Sequence, residues 1–154
     1  MDIIATRAAI RDMRDIHGLL LTAGSDGKLL PRPLSDLYAH ARDFHILRGG
    51  DGALIGCCAL ALIWEDLGEI RSLYVRADQR RKGYGGILAE ACIREAVDMG
   101  LGRLFTLTYE TVFFSRLGFL EVSKDSLPQK IWADCIHCPK YPDCDETAML
   151  RLLE

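Results

Sequence analysis

No apolar run in this 154-residue chain approaches the length needed to span a bilayer, so no membrane partner is expected. The opening residues MDIIATRAAIRDMRD carry acids where a secretory signal has none, and the expectation is a cytoplasmic chain. A net charge of -3 denies the molecule a global positive field, which argues against nucleic acid as a partner. There is no internal repeat, no low-complexity tract and no linker, so residues 1–154 are expected to form one domain. The six cysteines, in a cytoplasmic chain, read as thiols or metal ligands rather than a disulfide framework.

What is present is an ordinary globular mixture, 49% apolar and 27% charged. DIIATRAA reads as a first strand. IRDMRDIHGLLLTAG reads as an amphipathic helix with Ile10, Met13, Ile16, Leu20 and Leu21 near helical spacing. LSDLYAHARDF reads as a second helix with Ser35 as N-cap. FHILRGGDGALIGCCALALIW reads as two strands joined by a glycine turn, and GEIRSLYVRA as another strand. GYGGILAEACIREAVDMG is a clear helix, with Leu88, Cys92, Ala96 and Met99 in one stripe and Gly100 as its C-terminal stop. LGRLFTLTY is a strand, TVFFSRLGF a short helix, QKIWADC one or two helical turns, and ETAMLRLL a closing strand. Hairpins at the front and a strand-helix-strand unit in the middle predict an α/β (α+β) layer fold.

The segment QRRKGYGG, Gln79 to Gly86, sits between the strand ending at Val75 and the helix beginning at Gly86. Glycines there let amide groups converge on one point and let a ligand approach closely, while the helix end adds partial positive charge. From Arg71 to Lys82 there are five cations, Arg71, Arg76, Arg80, Arg81 and Lys82, against the single acid Asp78. That local excess suits a pyrophosphate; the bland alternative is a glycine turn bearing a solvated charge run. The third glycine of a dinucleotide fingerprint and the Gly-Lys-Ser/Thr of a P-loop are both missing.

Arg80, Gly83 and Gly85 within LYVRADQRRKGYGGILAEA, together with FFSRLGF further on, resemble the GNAT N-acetyltransferase superfamily. The segments LLPRP, GCCAL, EIRSLYV, LFTLTY and LPQKIWADCIHCPKYPDCDETAML are similar to the short stand-alone N-acetylglutamate synthases of arginine biosynthesis. The resemblance implies a mixed, mostly antiparallel sheet of six or seven strands with about four helices. It implies acetyl-CoA as co-substrate, a small amino acid as acceptor, and direct attack without an acetyl-enzyme. It leaves a homodimer open. The pyrophosphate would lie on Arg80, Arg81, Lys82, Gly83, Tyr84, Gly85 and Gly86. The backbone of Leu73, Tyr74 and Val75 would hold the pantetheine arm, with Phe114 nearby. Another amine, or a non-catalytic acetyl-CoA-binding module, is the alternative.

Acetyl transfer needs a proton acceptor for the amine, and Glu69 beside the loop is the candidate base, unless it merely pairs with Arg71. Many family members have a tyrosine where this chain has Phe114, so either the thiolate leaves unaided, or water protonates it, or Tyr109 is the acid, unless Tyr109 is a plain core aromatic. Guanidinium forks suit acceptor carboxylates, which selects Arg32 and Arg71, with Lys130 third. Cys57 and Cys58, adjacent in a strand, point to opposite faces, and one of them could line the substrate cleft. No Cys-His-Asp pattern supports a cysteine nucleophile. Trp64 and Trp132 read as core or interface aromatics. Cys135, Cys138 and Cys144 form an incomplete zinc motif beside His137, so zinc is not expected; a disulfide or buried thiols are the alternatives.

Overall fold

The structure, a computed structural model, describes residues 3–25, 32–127 and 146–153. In chain order it forms β1 (Thr6–Arg7), α1 (Met13–Ser25), α2 (Leu34–Ala39), β2 (Phe44–Arg48), β3 (Leu54–Trp64) and β4 (Leu67–Val75). There follow α3 (Tyr84–Asp98), β5 (Arg103–Thr108), α4 (Thr111–Arg116), β6 (Leu120–Glu121) and β7 (Thr147–Leu152). Among the described residues the seven strands make one sheet in the order β1-β2-β3-β4-β5-β7-β6. Every pairing is antiparallel except β4 with β5.

β3 explains the layering. Its residues from Leu54 to Ala61 are all buried, because both faces of the central sheet are covered. Alternation sends Cys57 to one face, where Ile46 and Tyr74 meet Met13, Ile16 and Leu20 of α1. Cys58 faces the other way, against Leu88, Cys92 and Ala96 of α3. Burying each leucine or isoleucine of these clusters contributes about 1.5–3 kcal/mol, and this packing fixes the helices to the sheet.

Several local expectations yield to tertiary contacts. The first strand shrinks to Thr6–Arg7. Ile10 lies in a 3₁₀ turn and, like Leu21, is exposed; Leu19 and Ala23 take the buried positions beside Met13, Ile16 and Leu20. The second helix stops at Ala39 because Phe44 is drawn into β2 opposite Ala59 and fully buried. Its N-cap is Pro33, extended at φ -60° and ψ 148°, and no side chain caps it; Ser35 lies inside the helix. Met99 falls beyond the last turn of α3 and is exposed, with Ala89 and Ile93 completing the buried face instead. Trp64 is exposed rather than core. QKIWADC and Trp132 lie outside the described residues.

Two glycines act as expected of helix stops. Gly100 has φ +86°, its amide donates to Val97 O, and Leu101 N–H donates to Ala96 O. LGF repeats the geometry after α4: Gly118 has φ +88°, its amide donates to Ser115 O, and Phe119 N–H donates to Phe114 O. The apolar contact that accompanies such a stop is Phe119 edge-to-face on Phe114, centroids 5.3 Å apart. The aromatic helix is thereby locked against the sheet.

Candidate active site

β4 and β5 pair only at one end, Leu67–Glu69 against Arg103–Phe105. Thr106 Oγ1 then donates to Ile70 O at 2.9 Å. Beyond that bond the strands part, and a cleft of about 1000 Å³ opens between them. Arg71 to Val75 form one wall, Thr106 to Tyr109 the other, with Phe113, Phe114 and Arg116 of α4 closing the far side.

The β4 wall carries a bulge. Tyr74 stands opposite Cys57 and Arg71 opposite Ala59, so Ser72 and Leu73 together oppose Cys58. Ser72 takes φ +56°, a left-handed conformation unusual for a residue with a side chain. Arg32 Nη1 donates to Ser72 Oγ at 3.1 Å and the Cys57 thiol donates to Ser72 O at 3.3 Å. Beyond the bulge β4 stays paired with β3 at Tyr74 and Val75, and Leu73 to Val75 border the cleft.

At the mouth lies the loop Gln79 to Gly83, with left-handed backbone at Arg81 (φ +66°) and at Gly83 (φ +83°), the N-cap of α3. Helix geometry leaves the first amides of α3, on Tyr84, Gly85 and Gly86, without intrahelical acceptors and with the positive end of the helix dipole. A β-carbon on Gly83 or Gly86 would meet nothing within 4 Å, so both face open space. Arg80, Arg81, Gly83, Tyr84, Gly85 and Gly86 line the cleft. The five expected cations do not act together. Arg76 pairs with Asp78 through both carboxylate oxygens at 3.0 Å, and Arg71 pairs with Glu69. Arg80 clips the loop to β4, donating to Val75 O at 3.2 Å and stacking 5.1 Å above the Tyr74 ring. Lys82 donates to Gln79 at 3.2 Å.

Glu69 and Arg71 share a face of β4, and Arg71 Nε donates to Glu69 Oε1 at 2.9 Å, so the pairing that the sequence left as an alternative is present. Tyr109 lines the cleft and is 43% exposed, not a core aromatic. Phe114 also borders it but is packed between Phe113 and Phe119. Arg32 approaches from the turn before α2, its Nε held by Asp36 at 2.8 Å and its guanidinium over the Phe44 ring. Cys57 does not line the cleft; it is fully buried beneath Ser72, since its face of β3 is covered by α1. Burial pushes its thiol up to about 12, and Cys58, hydrogen-bonded to Cys92 and buried, is also raised. These thiols stay protonated and unsuited to nucleophilic work. Lys130, Cys135, Cys138 and Cys144 lie outside the described residues. Ser72, Thr106 and Phe113 were not foreseen. A non-glycine left-handed residue in mid-strand leaves no mark in sequence, and Phe113 differs from its neighbour only in the face α4 presents.

A cleft between parted parallel strands, bordered by backbone and ending on a helix N-terminus, has the shape and charge to take an extended molecule with a phosphate-rich end. The chain matches the Acetyltransferase (GNAT) family model over residues 11–119. It belongs to the GNAT acetyltransferase family and is an acyltransferase. It is 38% identical to an uncharacterized N-acetyltransferase of Chlorobaculum tepidum over 99% of this chain and 97% of that one. It is 37% identical to the amino-acid acetyltransferase of Mycobacterium tuberculosis over 90% of this chain and 79% of that protein. Among solved structures, N-acetylglutamate synthase from Neisseria gonorrhoeae complexed with coenzyme A and N-acetyl-glutamate superposes with TM-score 0.88 and 31% identity. The match covers all of this chain and 36% of that one, so this chain corresponds to about a third of that enzyme. The mixed, mostly antiparallel sheet with its helices is the fold expected. No helix among the described residues is long and apolar enough to cross a membrane.

Proposed function

We propose that the chain transfers the acetyl group of acetyl-CoA to the α-amino group of L-glutamate, giving N-acetylglutamate and CoA, the acetylation step of arginine biosynthesis. The observation that carries this reading is the parting of β4 and β5 beyond Glu69 and Phe105, which opens a backbone-lined channel leading to the N-terminus of α3. A pyrophosphate suits the open amides of Tyr84, Gly85 and Gly86 and the cation of Arg81. A pantetheine arm suits the edge left by β4 at Leu73 to Val75. Relatives named amino-acid acetyltransferase, and a neighbour holding coenzyme A with N-acetyl-glutamate, support the acceptor class.

Chemistry follows from the side chains at hand. The acceptor amine must lose a proton as it attacks the thioester, and the thiolate must leave. Arg71, which lines the cleft, and Arg32, which hydrogen-bonds to Ser72 of its wall, are the proposed partners of the two carboxylates of glutamate. Glu69 is the proposed base. A carboxylate that engages Arg71 competes with Glu69 for its guanidinium, and so turns Glu69 toward the amine. Tyr109, exposed in the cleft on the β5 side, is the proposed donor to the departing thiolate. Amides of the β4 bulge would polarise the acetyl carbonyl. No covalent intermediate on this chain is invoked, and the attack takes place in a ternary complex.

Thiol release from acetyl-CoA, measured against a panel of amino acids, other small amines and an N-terminal peptide, tests the proposal. Turnover with glutamate ahead of the panel is expected. Good turnover elsewhere with none on glutamate sinks the acceptor assignment, and failure to bind acetyl-CoA sinks the reaction.

A further inference from the structure

We infer that Ser72 is a positioning residue that ties the acceptor side of the cleft to the donor side. The inference rests on the proposed reading of Arg32 as an acceptor ligand. Two distant parts of the chain converge on this one residue. From below, Cys57 of β3 donates its thiol proton to Ser72 O at 3.3 Å. From the side, Arg32, 40 residues away in sequence, donates Nη1 to Ser72 Oγ at 3.1 Å. Arg32 is itself immobilised by Asp36 at 2.8 Å and by stacking on Phe44 at 5.4 Å. Ser72 therefore does not sit at φ +56° by local preference; serine disfavours that region, and outside contacts hold it there.

The consequence is a shared part. Ser72 sets where the backbone of Leu73 to Val75 runs, which is the wall offered to the acyl donor. Its hydroxyl takes one donor of Arg32 and Asp36 takes another, leaving the remaining guanidinium protons in a fixed direction. An acceptor carboxylate caught by Arg32 is thus registered against the same residue that shapes the donor wall. Neither Ser72 nor Cys57 needs to touch the reacting atoms.

Three substitutions separate the two contributions. Ser72→Gly keeps the left-handed conformation and deletes the oxygen. Ser72→Asn tolerates that conformation and restores an oxygen acceptor for Arg32. Ser72→Ala loses both. Steady-state kinetics use the acceptor that the wild-type chain acetylates fastest, and CoA affinity is measured by calorimetry. Ser72→Gly is expected to raise the acceptor KM about tenfold while CoA affinity stays within about twofold, the loss expected of one charge-assisted hydrogen bond. Ser72→Asn is expected to recover most of the acceptor KM, and Ser72→Ala to weaken CoA binding as well. The inference is overturned if Ser72→Gly matches wild type, if it shifts both substrates equally, if Ser72→Asn does no better than Ser72→Ala, or if Ser72→Ala binds CoA like wild type. A wild-type chain that binds CoA yet acetylates nothing overturns the proposed reaction instead, and the calorimetric comparison still decides whether Ser72 shapes the donor wall.

Discussion

Phe113 Cε1 lies 3.4 Å from the point where a β-carbon on Gly85 would stand, while the same point on Gly86 meets nothing within 4 Å. Two adjacent glycines at one helix end thus serve different ends. Gly85 admits the ring of α4, and Gly86 faces open space.

Gly86→Ala separates folding from binding. An added methyl finds no clash and replaces a poor helix former with a good one, so stability should rise by up to about 1 kcal/mol. The same methyl intrudes where a diphosphate would meet the helix amides, so the Kd for acetyl-CoA should rise about tenfold or more. Thermal melts and calorimetry read the two effects separately. A variant that melts higher and binds acetyl-CoA as well as wild type would move the pyrophosphate away from α3.

Glu69→Gln keeps the size of the side chain and removes its capacity to take a proton. If Glu69 is the base, kcat should fall about 100-fold or more with little change in the KM for acetyl-CoA. Unchanged kcat would leave Glu69 as nothing more than the partner of Arg71.

Arg32→Ala should raise the KM for the acceptor about tenfold, well beyond its effect on acetyl-CoA, through loss of a charged donor to a carboxylate. Equal effects on both substrates would count against Arg32 as an acceptor ligand.

His45 gives a pH dependence of stability. It sits in β2, 7% exposed, with Nε2 3.5 Å from Glu95 Oε1 of α3 and Arg7 paired to the same carboxylate. Burial, and then the charges of Arg7 and Arg94, lower its pKa to about 4 from 6.5. Between those values the unfolded chain binds a proton that the folded chain refuses. The stabilisation is therefore complete above pH 6.5 and is lost as pH falls toward 4, amounting to roughly 3 kcal/mol at most. Denaturant melts of wild type and His45→Gln between pH 7 and pH 4 should diverge, the variant losing less stability. Parallel curves would show that His45 titrates normally.

Buried thiols make a chemical prediction. Cys57, Cys58 and Cys92 are fully buried, and burial holds the Cys57 thiol near 12. Peptide mapping after brief iodoacetamide treatment of the native protein at pH 8 should find all three unmodified, and mapping after denaturation should find them alkylated. Rapid native modification of Cys57 would mean that its face of β3 opens to solvent.

The stretch Gln79 to Gly86 shows how far sequence carries. Its glycines, its cations and the apolar stripe of Leu88, Cys92 and Ala96 are short-range features, and the helix, its amide-bearing start and its Gly100 stop all follow from dihedral sterics and periodicity. The short helix read over TVFFSRLGF ends earlier, at Arg116, with LGF forming its stop. The cation count misleads, because Asp78 and Glu69 remove Arg76 and Arg71 from the group, and a net charge does not say who pairs with whom.

What the sequence determined alone is most of the elements and the glycine-rich, cation-bearing loop at the start of α3, since each is decided by residues within one or two turns of one another. The tertiary structure decided the rest: the parting of β4 from β5, the entry of β7 between β5 and β6, the left-handed Ser72, and the reach of Arg32 across 40 residues to hold it. Those features depend on contacts between segments far apart in the chain, and no local preference encodes them; serine, left to itself, would have continued the strand.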